Sequence, residues 1–128
     1  MSLSGKRMLQ VCVAVAGIVP VAAGAWGVLD RSGSASADLA SHARYLSGVL
    51  LAIGVAFWAT IPDIERRTGR IQLLASLVMT GGLCRLLGLA LGDALSPETA
   101  GALVMELLVT PLLCLWQARL GVRGLDGR

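Results

Sequence analysis

The stretch MLQVCVAVAGIVPVAAGAWGVL, residues 8–29, runs for 22 residues without a charged side chain. A helix of about 20 apolar residues is long enough to cross the hydrocarbon core of a bilayer. The basic pair Lys6-Arg7 and an A-x-A pattern at residues 35–37 also resemble the parts of a signal peptide. The apolar region of such a peptide is usually about 7–15 residues long, so we expect this stretch to be a retained transmembrane helix.

Three further apolar stretches follow, and together they predict four membrane spans at residues 8–29, 43–61, 71–91 and 99–118. Backbone groups in hydrocarbon must be hydrogen-bonded within their own segment or within a closed barrel. Barrel strands alternate in polarity over about ten residues, and these stretches show no such alternation. The predicted fold is therefore all-α, an integral membrane four-helix bundle that forms a single domain over residues 1–128.

The composition excludes several classes of function. Of the 128 residues, 55% are hydrophobic and 15% are charged, whereas soluble domains are about 25% charged. One Phe and one Tyr cannot form an aromatic-rich nucleic-acid surface, and three cysteines without CxxC spacing beside one histidine form no typical metal site. No nucleophile–base pair is visible. We expect no catalytic residues, no metal, no cofactor and no nucleic-acid partner.

The basic residues are distributed unevenly between the two sides of the predicted bundle. Eight of them precede the first span, lie between the second and third spans, or follow the fourth. These eight are Lys6, Arg7, Arg66, Arg67, Arg70, Arg119, Arg123 and Arg128. The other side has only Arg31 and Arg44. Because Lys and Arg concentrate in cytoplasmic segments, both termini are predicted to lie in the cytoplasm.

Two charged residues lie inside the predicted spans at matching depths. Arg85 is six residues before Leu91, and Glu106 is eight residues after Glu98. At a rise of 1.5 Å per residue they lie about 9 and 12 Å below the same surface. An unpaired charge there costs roughly 2.5–3.5 kcal/mol on insertion scales. Since the short connection makes these spans antiparallel neighbours, we predict an ion pair between Arg85 and Glu106.

Small residues recur at helical spacing beside these charges, and such stripes are typical of helix–helix contacts in membranes. The glycines expected to pack against neighbouring helices are Gly48, Gly81, Gly88 and Gly92. Arg44 shares the stripe of the second span and lies near the outer mouth, where it can join the ion pair. Two arginines and one glutamate would then leave one positive charge over.

Three interpretations of these charges stay open. The ion pair can fix helix packing, with Arg44 at the interface. The site Arg44, Arg85 and Glu106 can instead bind an anionic ligand such as a lipid headgroup. A proton or ion path is the third interpretation, but no chain of Asp, Glu or His crosses the spans, as a proton pump requires.

Four segments carry a family resemblance. They are Arg44-Tyr45-Leu46-Ser47-Gly48 with Leu51-Ala52 and Gly54, then Gly81-Gly82-Leu83-Cys84-Arg85-Leu86-Leu87-Gly88, the turn at 92–97, and Glu106-Leu107. Over roughly residues 40–118 the chain resembles an uncharacterised bacterial membrane family, domain of unknown function 4345. The resemblance implies a four-helix protein of about this length, without an activity. With the predicted orientation, it implies a multi-pass protein of the bacterial inner membrane.

Two functions are compatible with these observations. Short loops and small-residue stripes favour a non-catalytic accessory or structural subunit of a larger bioenergetic or transport complex. Its partners would be membrane lipids and other integral membrane subunits. The alternative is a lipid- or quinone-binding membrane protein with a pocket for an anionic ligand at Arg44, Arg85 and Glu106.

Overall fold

The structure of the chain is a computed structural model that describes residues 3–30 and 36–125. These residues form α1 (Leu3–Leu29), α2 (Ala37–Trp58), α3 (Thr68–Ala90), α4 (Pro97–Val104) and α5 (Thr110–Leu125). A π-helical turn, Met105–Val109, joins α4 to α5, so these three elements make one fourth helix. No strand occurs within the described residues. The predicted all-α, four-helix fold is confirmed.

The helices have the length and the surface of membrane spans. Within the described residues, four segments are long and apolar enough to cross a membrane: Ser4–Leu29, Ala37–Trp58, Thr68–Ala90 and Pro97–Arg119. Large apolar side chains on their outer faces are exposed, as Val11, Val15 and Ile18 are on α1. Exposed side chains of this kind suit contact with lipid. The chain is a multi-pass membrane protein.

Each helix begins before its predicted apolar span because its first turn contains polar residues, whereas α2 ends at Trp58, before the predicted end at residue 61. The second helix begins at Ala37 rather than at residue 43, and Ser36 forms its N-cap by accepting a hydrogen bond from the Leu39 backbone N–H at 3.3 Å. Asp38 lies in its first turn, where a negative charge favours the helix dipole. Hydropathy detects the membrane-crossing part of a helix, and the capping residues lie outside that part.

The two prolines within helices have different surroundings. Pro20 lies inside α1, which continues through it. Pro111 lies two residues after the π turn, and between them Thr110 donates a side-chain hydrogen bond to the Met105 carbonyl at 2.7 Å. Proline has no N–H to donate to the carbonyl four residues earlier, and its ring collides with that carbonyl. The distortion of the fourth helix next to Pro111 therefore takes the form of a widened turn.

The first two helices form a tightly packed hairpin. A Cβ atom placed on Gly24 would lie 2.6 Å from the backbone nitrogen of Leu51. A Cβ atom on Gly54 would lie 3.1 Å from the backbone nitrogen of Val21. Glycine at these positions lets the two backbones approach each other closely. The third and fourth helices form the second hairpin.

The two hairpins join at one end of the bundle, which we name the base. It comprises the start of α1, the connection 59–67, the start of α3 and the end of α5. Its buried cluster is Leu9, Val13, Ile64 and Ile71. The connection is held in place by hydrogen bonds from α1: Gln10 Nε2 donates to the Ile61 carbonyl at 2.8 Å, and Lys6 pairs with Glu65 at 3.2 Å. The base is therefore a closed, polar-capped core.

The orientation of the base relative to the membrane stays a prediction. Lys6, the arginines of the connection and Arg119 lie at the base, as the topology of the four helices requires. Arg31, Arg128 and the Ala35 of the A-x-A pattern lie outside the described residues, as does the side chain of Arg123.

Candidate functional site

A cleft separates the two hairpins above the base. Its volume is about 170 Å³, and it extends from Val13 and Phe57 near the base to Ala102 on the fourth helix. The walls are mainly aliphatic. Four polar or charged side chains interrupt them: Arg85, Glu106, Thr110 and Gln117.

The predicted ion pair between Arg85 and Glu106 is present in the upper part of this cleft. Arg85 Nε donates a hydrogen bond to Glu106 Oε1 at 3.2 Å. The Glu106 side chain is 15% exposed and that of Arg85 is 46% exposed. The pair is thus buried on the glutamate side only. Half of the arginine surface is available to another molecule.

The second carboxylate oxygen of Glu106 is left without a hydrogen bond. Oε2 also lies 3.2 Å from Arg85 Nε, but the single N–H of that nitrogen points to Oε1. Oε2 is attracted by the positive charge, yet it is buried and accepts no hydrogen from the residues that the structure describes. A buried acceptor in this state costs about 1–3 kcal/mol or more. The hydrogen-bonding capacity of this oxygen is therefore not used within the described residues.

Local sequence explains how the pair is positioned. Gly82 lies one turn before Arg85 and packs against the fourth helix, where an added Cβ would lie 3.0 Å from the Cβ of Glu106. The missing side chain allows the two helices to approach at this level. Glu106 itself lies in the π turn before Pro111, and π turns are frequent at functional sites.

The lower end of the cleft has a second unsatisfied acceptor among the described residues, Gln117 Oε1, which was not predicted from the sequence. Gln117 is 1% exposed, and its Nε2 donates to the Ile64 carbonyl at 2.7 Å and to Thr68 Oγ1 at 2.8 Å. These two bonds fix the amide orientation. Oε1 is then left buried without a partner in the described part of the chain. A glutamine among apolar residues at a span end was the available signal.

Arg44 does not join the ion pair. Its Nε donates to the Val28 carbonyl at 3.2 Å, and the residue is exposed. Val28 lies in the last turn of α1, where carbonyl groups lack helical partners and a positive charge favours the helix dipole. Arg44 thus caps α1. Of the alternatives that the sequence left open for Arg44, the structure has this residue apart from the pair, so Arg85 and Glu106 form a two-residue site.

A family comparison covers the region that builds this cleft. The model of a family described as domain of unknown function (DUF4345) matches residues 8–117. The chain belongs to this family. The match also includes the first helix, which the resemblance over residues 40–118 left out, and it contains all four polar residues of the cleft. Neither a curated protein nor a solved structure matches the chain.

Neighbouring helices pack less closely against Gly81 and Gly48 than the sequence predicts. Gly81 is exposed, and an added Cβ would meet nothing within 4 Å. The packed glycine is its neighbour Gly82, because the contact face of α3 is rotated by one residue from the predicted stripe. Gly48 does face α1, but an added Cβ would lie 3.9 Å from Val28, which is an ordinary contact.

Gly88 and Gly92 lie at the end of the third helix, where they pack against no neighbouring helix among the described residues. Gly92 has φ +111°, which an L side chain rarely adopts. Its N–H bonds to the Leu89 carbonyl at 3.2 Å, and the Asp93 N–H bonds to the Gly88 carbonyl at 3.0 Å. This pair of bonds is a Schellman motif. The side chain of Asp93 then occupies the space where a Cβ on Gly88 would lie.

Metal ligands are not clustered in the described part of this DUF4345 chain. No three His, Cys, Asp or Glu residues within 3–30 and 36–125 lie together as a metal site. The cleft is an apolar channel with a donor and an acceptor side by side near its upper end.

Proposed function

We propose that this chain is a non-catalytic protein of the bacterial inner membrane that binds a membrane lipid in the cleft between its hairpins. The observation that carries this proposal is the position of the Arg85–Glu106 pair above an aliphatic channel. Lipids have the same arrangement, with a polar headgroup above apolar chains.

The depth of Arg85 supports a bound headgroup. Arg85 lies five residues before Ala90, the last residue of α3, which corresponds to about 7.5 Å along the axis. A charge exposed to hydrocarbon costs roughly 2.5–3.5 kcal/mol, and 46% of this side chain is exposed. A headgroup drawn into the upper cleft replaces hydrocarbon with polar atoms and removes this cost.

The charge distribution supports an outer-leaflet lipid. The base carries Lys6 and the arginines of the connection, whereas Asp93 and Glu98 lie at the opposite end. Positive residues favour the cytoplasmic side. With the base in the cytoplasm, the ion pair lies in the outer half of the membrane.

Native mass spectrometry of the chain released from mild detergent tests the proposal. One lipid per chain should remain bound to the wild type. Ala102→Phe, which places a large side chain on the cleft wall, should remove it. Leu108→Phe is the matched control because Leu108 is 60% exposed and does not line the cleft. The proposal fails if the wild type carries no lipid or if both variants lose it equally. A bound quinone in place of a lipid would also contradict it.

An accessory or structural subunit is the second candidate function. It is favoured by the exposed surface of α3 at Gly81, where a neighbouring helix from another subunit can approach closely. Gly81→Leu should then release the chain from its complex in mild detergent while the isolated chain melts at the wild-type temperature or above. A wild-type chain that purifies reproducibly as a monomer without a partner would count against this candidate.

A further inference from the structure

The ion pair in the cleft has free hydrogen-bonding capacity of both kinds. Arg85 contacts Glu106 through Nε only, so its two terminal nitrogens make no hydrogen bond with the described residues. Those nitrogens are donors. Glu106 Oε2, which is buried and unpartnered within the described chain, is an acceptor. The site therefore has a cationic donor and an anionic acceptor that hydrogen bonds within the described residues do not satisfy.

The net charge of the site is zero. Arg44 bonds to the Val28 carbonyl and does not contribute to the pair, so Arg85 and Glu106 cancel each other. A ligand with a net negative charge would bring an uncompensated charge into the cleft. A ligand with one charge of each sign would bring none.

We infer that the pair recognises a phospholipid headgroup that carries a phosphate and a primary ammonium, as phosphatidylethanolamine does. This inference rests on the proposed function. The phosphate accepts hydrogen bonds from the terminal nitrogens of Arg85, and the ammonium donates to Oε2 of Glu106. A two-carbon spacer holds the opposite charges of this headgroup next to each other, as the ion pair holds the guanidinium and the carboxylate.

Other abundant headgroup types match the site less well. A choline headgroup has the same two charges, but its quaternary nitrogen has no N–H to donate to Oε2. A glycerol headgroup has hydroxyl donors, but its net charge is negative and its hydrogen bond to Oε2 lacks the ammonium charge. Hydrogen bonds between two charged groups are roughly twice as strong as neutral ones. The number of N–H groups on the ligand nitrogen is therefore the variable to test.

The experiment uses delipidated full-length chain and native mass spectrometry with lipids that share the same acyl chains. The headgroups form a series: ethanolamine, N-methylethanolamine, N,N-dimethylethanolamine and choline, with glycerol as the anionic comparison. Affinity should fall along the methylation series, with about a tenfold difference between its ends, the size expected for one charge-assisted hydrogen bond. This series needs no variant, so it is informative even where a variant fails to fold.

Two variants assign the selectivity to the pair. Glu106→Gln removes the charge of the acceptor, and the preference for ethanolamine over choline should fall to within about twofold. Arg44→Gln is the matched control, because it removes an arginine from the same half of the bundle without touching the cleft; its preference should equal that of the wild type.

Each outcome separates this inference from the proposed function. Failure of every lipid to bind would overturn both. Equal binding of ethanolamine and choline lipids, or a preference for the glycerol headgroup, would overturn the headgroup inference and leave lipid binding intact. Water-soluble glycerophosphoethanolamine should not displace the lipid at equal concentration; displacement would show that the acyl chains and the cleft walls play no part.

Discussion

Removal of either partner of the Arg85–Glu106 pair should destabilise the bundle, and the two losses should not add. The test is a double-mutant cycle of Arg85→Leu, Glu106→Gln and the double variant, with unfolding followed in detergent. Each single variant leaves one uncompensated charge, whereas the double variant leaves none. The double variant should therefore be more stable than the sum of the single losses predicts.

The geometry sets the size of the coupling. At 3.2 Å and an effective dielectric constant of about 20, the Coulomb attraction is about 5 kcal/mol before desolvation. An exposed pair retains about 0.2–1 kcal/mol of such an attraction, and breaking a buried pair costs about 3–5 kcal/mol. With Glu106 15% exposed and Arg85 46% exposed, we expect a coupling free energy of about 1.5–3 kcal/mol, between these limits.

The exposures also predict which single variant loses more. Arg85→Leu leaves a mostly buried carboxylate, whereas Glu106→Gln leaves an arginine whose long side chain can extend toward polar surroundings. Arg85→Leu should therefore be the less stable of the two. A control cycle of Arg44→Leu with Glu106→Gln should be additive within about 0.5 kcal/mol. Additive losses in the Arg85 cycle, or equal coupling in both cycles, would refute the reasoning.

Two further substitutions, each with a matched control variant, test the packing of the bundle. Gln117→Leu should lower the unfolding free energy by about 1–3 kcal/mol because it breaks two buried hydrogen bonds, whereas Gln72→Leu, at an exposed position of α3, should change it little; thermal unfolding in detergent compares the two. Gly24→Ala should cost about 1–3 kcal/mol because its Cβ would overlap the Leu51 backbone, whereas Gly81→Ala should stabilise by up to about 1 kcal/mol through helix propensity. Equal effects at the two glycines would contradict the assignment of the packed face.

Hydropathy and depth were sufficient to predict the helices and the ion pair. Each apolar stretch is long enough to cross the hydrocarbon core of a bilayer as a helix. Unpaired Arg85 and Glu106 side chains would be costly in hydrocarbon, which predicts that they pair with each other. The number of residues between each charge and the connection of the third and fourth helices then gives the depth at which the two side chains meet. These arguments use one helix or two adjacent helices at a time, and the corresponding predictions agree with the structure.

The packing faces and side-chain partners within each hairpin could not be predicted in this way. A stripe of small residues does not show which side of it faces a neighbour, and a rotation by one residue exchanges Gly81 for Gly82 at the contact. The π turn before Pro111 rotates the fourth helix further, and hydropathy contains no signal for it. Arg44 lies about two turns after the start of α2 at Ala37 rather than at the start of the helix. Its partner is a backbone carbonyl, which no side-chain pattern indicates.

The base stabilises the bundle, and the opposite half carries the candidate recognition site. At the base, Gln10 and Gln117 bond to the connection, and apolar side chains from both hairpins are buried together. At the level of Arg85, the hairpins are separated by the cleft, and among the described residues Glu106 Oε2 and the terminal nitrogens of Arg85 have no hydrogen-bond partner. Substitutions at the base should therefore change the unfolding free energy without changing headgroup preference, whereas Glu106→Gln should change headgroup preference in protein that stays folded.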